Sequence, residues 1–170
     1  MSGMDLSKMG TARVVQKTSD CGQIIIEKWP VSDVEWAFYH SAATALNHAE
    51  VATPAILSAD ATLRQLTMEY IPHQVEQASV ANDDAIAMLG RLHRYPADPE
   101  WLYHPHIWTE KALENALVLL ALPEKSVQQL RRFQQCGNAL FGYQSLISGD
   151  SNAGNWGRRE NGDIVLFDWE

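Results

Sequence analysis

Ser148–Gly149–Asp150–Ser151–Asn152–Ala153–Gly154–Asn155 is followed, after a turn signal at Asn161–Gly162, by Ile164–Val165–Leu166–Phe167–Asp168–Trp169–Glu170. The first stretch sets an aspartate in a loop of small polar residues, with an asparagine five positions on. The second is an apolar strand that ends in another aspartate. The Asn-Gly turn predicts a hairpin, which returns Asp168 to Asn155 although they lie 13 positions apart. An amide carbonyl and a carboxylate are hard oxygen donors of the kind Mg²⁺ accepts. Asp150, outside that pair, is a carboxylate placed to receive a proton. Each residue taken singly is an ordinary turn former; their joint order carries the chemistry.

Moving upstream, Ile24–Ile25–Ile26–Glu27–Lys28–Trp29 is a β-branched strand closed by Pro30 and preceded by the turn Asp20–Cys21–Gly22–Gln23. Residues 13–17 supply the other arm of a hairpin. Ser32 or Asp33 caps a helix predicted to reach Leu46, with Val34, Phe38, Ala42 and Ala45 on one face. Lys28 therefore sits at a strand end, and Glu35 in the first turns of the next helix. Pro54–Leu57 reads as extended and Leu63–Tyr70 as a strand ended by Pro72. Three helices follow. One is marked by Ile86, Leu89 and Leu92, and one runs from Thr109 to Leu122. The third starts at Pro123, with Val127, Leu130, Phe133 and Leu140 inward. A short strand is expected near Gln144–Ile147. The layout is α+β, a strand-rich first part and a helical remainder joined near Glu69–Pro72, with a cleft expected between them.

Phosphoryl transfer needs positioning, neutralisation of phosphate charge and an acceptor for the substrate's proton. Every part has a candidate: Asp150 for the proton, Asn155 and Asp168 for Mg²⁺, and the Lys28–Glu35 pair for the phosphates. The stretches Ile24–Pro30, Val34–Leu46, Ala52–Leu57, Leu66–His73, Leu89–Pro96 and Leu146–Glu170 occur in an order that resembles the aminoglycoside phosphotransferase/choline kinase-like family of small-molecule kinases. The resemblance implies a two-lobe protein-kinase-like fold: residues 1–72 as a nucleotide-binding N-lobe with hinge, and residues 73–170 as a helical C-lobe cut short relative to the family. It implies that Met68, Glu69, Tyr70 and Ile71 form the hinge and hold the nucleotide base by their backbone. It implies Mg²⁺, and ATP or GTP as phosphate donor. The implied activity is transfer to a small-molecule hydroxyl; the alternative is a non-catalytic nucleotide-binding or scaffold module.

The chain departs from the family pattern at Ser148, where a histidine is usual two residues before the catalytic aspartate. It departs again in its phosphate loop, for which Gly10 is the best candidate, and in the helices that would follow Glu170.

Bulk properties narrow the partners. The chain has 170 residues, 46% hydrophobic and 20% charged, with 13 basic and 21 acidic side chains and a net charge of −8. A nucleic-acid partner would need a basic face and is not expected; a neutral or cationic small molecule is. Cys21 and Cys136 form no metal or disulfide pattern, which points to a reducing cytoplasm. His104 and His106 read as part of an aromatic loop rather than a metal site. No apolar run has the length of a signal peptide or membrane span, so no membrane partner is expected. Self-association, or a further C-terminal segment, is expected to cover apolar surface.

Overall fold

The computed structural model describes residues 3–7, 12–102, 107–137 and 145–169. Gly10, His104, His106 and Leu140 lie outside the described residues. Two compact units are present: Met1–Tyr103 with Leu146–Glu170, and His104–Ser145.

In the first unit a five-stranded antiparallel sheet has the order β1-β2-β3-β5-β4. Its strands are β1 (Met4–Asp5), β2 (Arg13–Thr18), β3 (Ile24–Trp29), β4 (Ile56–Asp60) and β5 (Gln65–Glu69). The Ile-rich β3 is the central strand, as its β-branched run favours. It places Lys28 opposite Val14 on one side and Leu66 on the other. β5 alternates cleanly, with Leu66 and Met68 inward.

Between β3 and β4 runs a helical segment that starts at α1 (Asp33–Ala37), passes through a π-turn at Phe38–Ala42 and continues as α2 (Ala43–His48). The expected face of Val34, Phe38 and Ala42 is buried, but Tyr39, Ala43 and Leu46 are buried too, and Ala45 is only half-buried. Contacts recurring every fourth residue drift around an ideal helix of 3.6 residues per turn. The wider π-turn absorbs that drift and keeps one continuous stripe on the core.

Residue 72 lies between β5 and a second, three-stranded sheet of order β6-β7-β8 in the same compact unit. Here β6 is His73–Gln74, β7 Trp156–Arg158 and β8 Ile164–Leu166. The strand expected near Gln144–Ile147 does not form over residues 145–147; the free edge of β7 is taken by β6 instead. α3 (Asp83–Arg94) packs Ala85, Met88 and Leu92 into the core and leaves Ile86 at 56% exposure. Of the expected stripe, Leu92 is buried and Leu89 half-buried against the core, and only Ile86 faces out. The core gathers Phe38, Leu46, Leu66, Met68, Met88, Leu92, Trp156, Leu166 and Trp169.

The second unit is a helix pair, α4 (Glu110–Leu120) and α5 (Glu124–Gly137). Thr109 caps α4 by accepting from the Ala112 N–H at 3.1 Å. Arg131 on α5 reaches Glu110 at 3.1 Å and Glu114 at 2.6 Å on α4. Leu113 is fully buried, whereas Phe133, expected inward, is 58% exposed, as is Leu120. The buried position on that turn of α5 is Gln134, whose amide donates to the Trp108 carbonyl. Among the described residues no helix is long and apolar enough to cross a membrane.

Gly157, in the middle of β7, is required by close packing. A Cβ there would lie 2.5 Å from Ile71 Cγ2 and 3.2 Å from both the His73 carbonyl and Phe167 Cε1. Gly157→Val is expected to destabilise the fold by about 1–3 kcal/mol through overpacking, read as a lower urea midpoint; an unchanged midpoint would show that the neighbours yield freely.

Candidate active site

Lys28 points off the central strand into a nearly dry environment, its side chain 11% exposed. Its ammonium donates to Glu35 Oε1 at 2.8 Å and to Asp168 Oδ1 at 2.6 Å. Glu35 is fixed from below. Ser32 caps α1 by accepting from the Glu35 N–H at 3.1 Å, and the Glu35 side chain is 1% exposed. Burial works against the Lys28 ammonium, yet the charge of Glu35 and the bonds to Asp168 and Glu35 outweigh it and hold its pKa above the ordinary lysine value. Tyr39, one turn beyond Glu35, is buried with its hydroxyl in the field of Glu35 and Asp168. Desolvation first, then those two charges, push its pKa well up, so the phenol stays protonated.

Asp168 sits at the exit of β8 with φ of +67°, a left-handed conformation that costs a non-glycine residue about 1–3 kcal/mol. Its surroundings hold it there. Trp169 is buried and stacks on Phe38 of the π-turn, centroids 4.4 Å apart and planes 8° from parallel. The Trp169 indole donates to the Leu166 carbonyl at 2.9 Å. The helix that carries Glu35 and the strand end that carries Asp168 are thus joined twice, by Lys28 and by the ring stack.

The β7–β8 register pairs Trp156 with Leu166, and one further bond, Phe167 N–H to Asn155 carbonyl at 3.0 Å, carries the ladder to the two expected metal ligands. The Asn155 side-chain NH₂ donates to the Asp150 carbonyl at 3.0 Å. Asp168 uses Oδ1 for Lys28, and Oδ2 makes no hydrogen bond among the described residues. Asp150 itself is exposed. Its carboxylate accepts from the Asn152 side-chain amide at 2.6 Å and from the Asn152 N–H at 3.3 Å. Ser148 is buried and gives the loop its backbone carbonyl, which accepts from the Asp150 N–H at 2.8 Å.

Lys28, Glu35 and Asp168 are therefore in direct contact, and Asn155 is bonded to the main chain of Asp150. Met68 and Glu69 of the expected hinge end β5, Met68 buried opposite Ile26. Tyr70 and Ile71 lie past the strand, with Ile71 over Gly157. Sequence reasoning missed that the Glu69 side chain is committed. Arg159, between β7 and β8, grips both its oxygens at 2.6 and 2.9 Å and also donates to the Thr53 carbonyl at 3.1 Å. No local pattern announces a pair 90 residues apart. The Asn152 contact did have a signal, because Asp-x-Asn favours side-chain turns.

No protein-family model matches the chain, and no curated protein sequence matches it. Solved structures do. A choline/ethanolamine kinase family protein from Mesorhizobium loti aligns with a TM-score of 0.63 at 18% identity, covering 100% of this chain and 58% of its own. Amicoumacin kinase hAmiN, solved with AMP-PNP, Ca²⁺ and Ami, aligns with a TM-score of 0.58 at 18% identity, covering 98% of this chain and 58% of its own. The fold is accordingly the α+β, protein-kinase-like fold of such small-molecule kinases, as expected from the sequence, and this chain spans 58% of the length of each of those two.

Two outcomes follow from the ion pairs. Lys28→Met removes the ammonium from between Glu35 and Asp168 in a nearly dry site and is expected to cost about 3–5 kcal/mol; a variant as stable as wild type in urea unfolding would contradict this. Burial opposes the charge on Glu69, but Arg159 and the Ala55 N–H outweigh it and lower its pKa from 4.5. A carboxylate with a lowered folded pKa stabilises the fold above its unfolded value and loses that contribution as pH falls. Glu69→Gln should therefore flatten the loss of melting temperature below pH 4.5; an acid limb identical to wild type would rule the pair out as its source.

Proposed function

We propose that the protein transfers the terminal phosphate of ATP or GTP to a hydroxyl of a small molecule with Mg²⁺ as its metal. The observation that carries this reading is the convergence of Lys28, Glu35 and Asp168, with Lys28 and Asp168 140 positions apart, beside the loop that holds Asp150 and Asn155. The two structural neighbours support it at the level of a kinase, and the AMP-PNP and Ca²⁺ bound to one of them support a nucleotide and a divalent cation.

The residues fit such a site. An ammonium has three N–H donors; Glu35 and Asp168 take two, which leaves one for a phosphate oxygen. Asn155 and Asp168 present one carbonyl and one carboxylate oxygen, the sparse protein contribution that Mg²⁺ takes when phosphates and water complete its shell. Among the described residues no cluster of three or more His, Cys, Asp or Glu competes for a metal. When bound, the metal supplies charge neutralisation on the phosphates. Lys28, steadied by Glu35, holds a phosphate oxygen. Main-chain groups of the Met68–Ile71 segment hold the base. Asp150 receives the acceptor's proton as the acceptor oxygen bonds to the γ-phosphorus and the bridging oxygen leaves with the nucleoside diphosphate. The net charge of −8 suits a neutral or cationic acceptor.

A second reading, nucleotide binding without transfer, is favoured by Ser148, which offers Asp150 only a backbone carbonyl. Transfer from γ-labelled ATP and GTP to a panel of sugars, amino alcohols and aminoglycosides separates the two. Asp150→Asn is expected to lower transfer by about 10²–10⁴-fold and to leave nucleotide affinity intact. Nucleotide binding in the wild type with no Asp150-dependent turnover would select the binding module.

A further inference from the structure

We infer that Asn152 is a positioning residue for the transfer: its side-chain amide fixes the Asp150 carboxylate in the orientation that receives the acceptor's proton. The inference rests on the phosphotransfer reading above. Asn152 is held at both ends. Its carbonyl oxygen accepts from the Gly154 N–H at 2.7 Å, and its main-chain carbonyl accepts from the Asn155 N–H at 3.0 Å. The short turn it caps is anchored in turn by Trp156, 1% exposed, whose indole donates to the Ser151 carbonyl at 3.0 Å. The side-chain NH₂ of Asn152 is therefore a fixed arm, and it donates to Asp150 Oδ2 at 2.6 Å.

Asp150 needs such an arm. It is exposed, Ser148 meets only its main-chain N–H, and Asn155 meets only its main-chain carbonyl. Among the described residues, the one other bond to its carboxylate is the long 3.3 Å contact from the Asn152 N–H to Oδ1. An exposed carboxylate without the amide would rotate among several orientations, and a proton acceptor misplaced by about 1 Å can cost on the order of 10²-fold in rate. With Oδ2 engaged at short range, Oδ1, which carries only the long contact from the Asn152 N–H, has a lone pair for an incoming hydroxyl.

A turn-forming asparagine with no further role would need only its acceptor end. Asn152→Asp separates the two roles: it keeps an oxygen for the Gly154 N–H and removes the donor to Asp150. Asn152→Ser keeps a capping acceptor without adding charge. On the intact protein with Mg·ATP, both variants are expected to lower kcat by about 10–100-fold, with the nucleotide KM within about twofold and the thermal midpoint unmoved. In ¹⁵N spectra of the wild type, the Asn152 side-chain NH₂ protons should be widely separated and collapse together in Asp150→Ala. Wild-type kcat in Asn152→Asp and Asn152→Ser, a kcat loss that only tracks lost melting temperature, or an Asn152 amide pair indifferent to Asp150→Ala would each overturn the inference. A wild-type protein that transfers no phosphate at all would sink the phosphotransfer reading and this inference with it; an active wild type with fully active Asn152 variants would sink this inference alone.

Discussion

A lysine ammonium held between a buried glutamate and a strand-end aspartate fixes the geometry on which the rest of the site depends. Lys28 comes from the central strand of the sheet, Glu35 from the capped start of α1, and Asp168 from the exit of the β7–β8 hairpin. Lys28 and Glu35 are nearly dry, and ionised groups this dry persist only when each has a partner; Asp168, half-exposed, adds the hairpin to the same arrangement. The Phe38–Trp169 stack closes the same triangle with apolar surface. Asp168, with its left-handed backbone, lies between its bond to Lys28 and the stacked ring of Trp169.

A second coupling runs through Arg159 and Glu69. It ties the end of β5, where the base is proposed to sit, to the hairpin that presents Asn155 and Asp168. Each carboxylate oxygen of Glu69 meets one guanidinium nitrogen, a geometry that fixes direction as well as distance. The regions proposed to hold base and phosphates are thereby set at a defined spacing, which is the kind of preorganisation that phosphoryl transfer rewards.

Much of this was legible in the sequence, for local reasons. Three consecutive isoleucines and a proline mark the central strand, Ser32 marks the helix start that carries Glu35, and Asn161–Gly162 marks the turn that returns Asp168 to Asn155. Each is a property of a few adjacent residues. What escaped is set by tertiary contact. β6 has two residues, too few to show a period, and exists because β7 offers it an edge. The π-turn follows from keeping Phe38, Tyr39, Ala42 and Leu46 on one core surface. On α3, Ile86 and Met88 are equally apolar in sequence, and only the packing decides that Met88 is inside. Arg159 and Glu69 find each other across the length of the fold, with no spacing rule to reveal them.

The carboxylate of Asp168, next to Lys28, is proposed to complete a metal–nucleotide phosphate site. Titration calorimetry of the intact protein with ATP, with and without Mg²⁺, tests it most directly. Saturable binding that depends on Mg²⁺ is expected, weakened at least about tenfold, or about 1.4 kcal/mol, in Asp168→Asn. No heat of binding for ATP or GTP in the presence of Mg²⁺, or binding that is indifferent to both Mg²⁺ and Asp168→Asn, would contradict it.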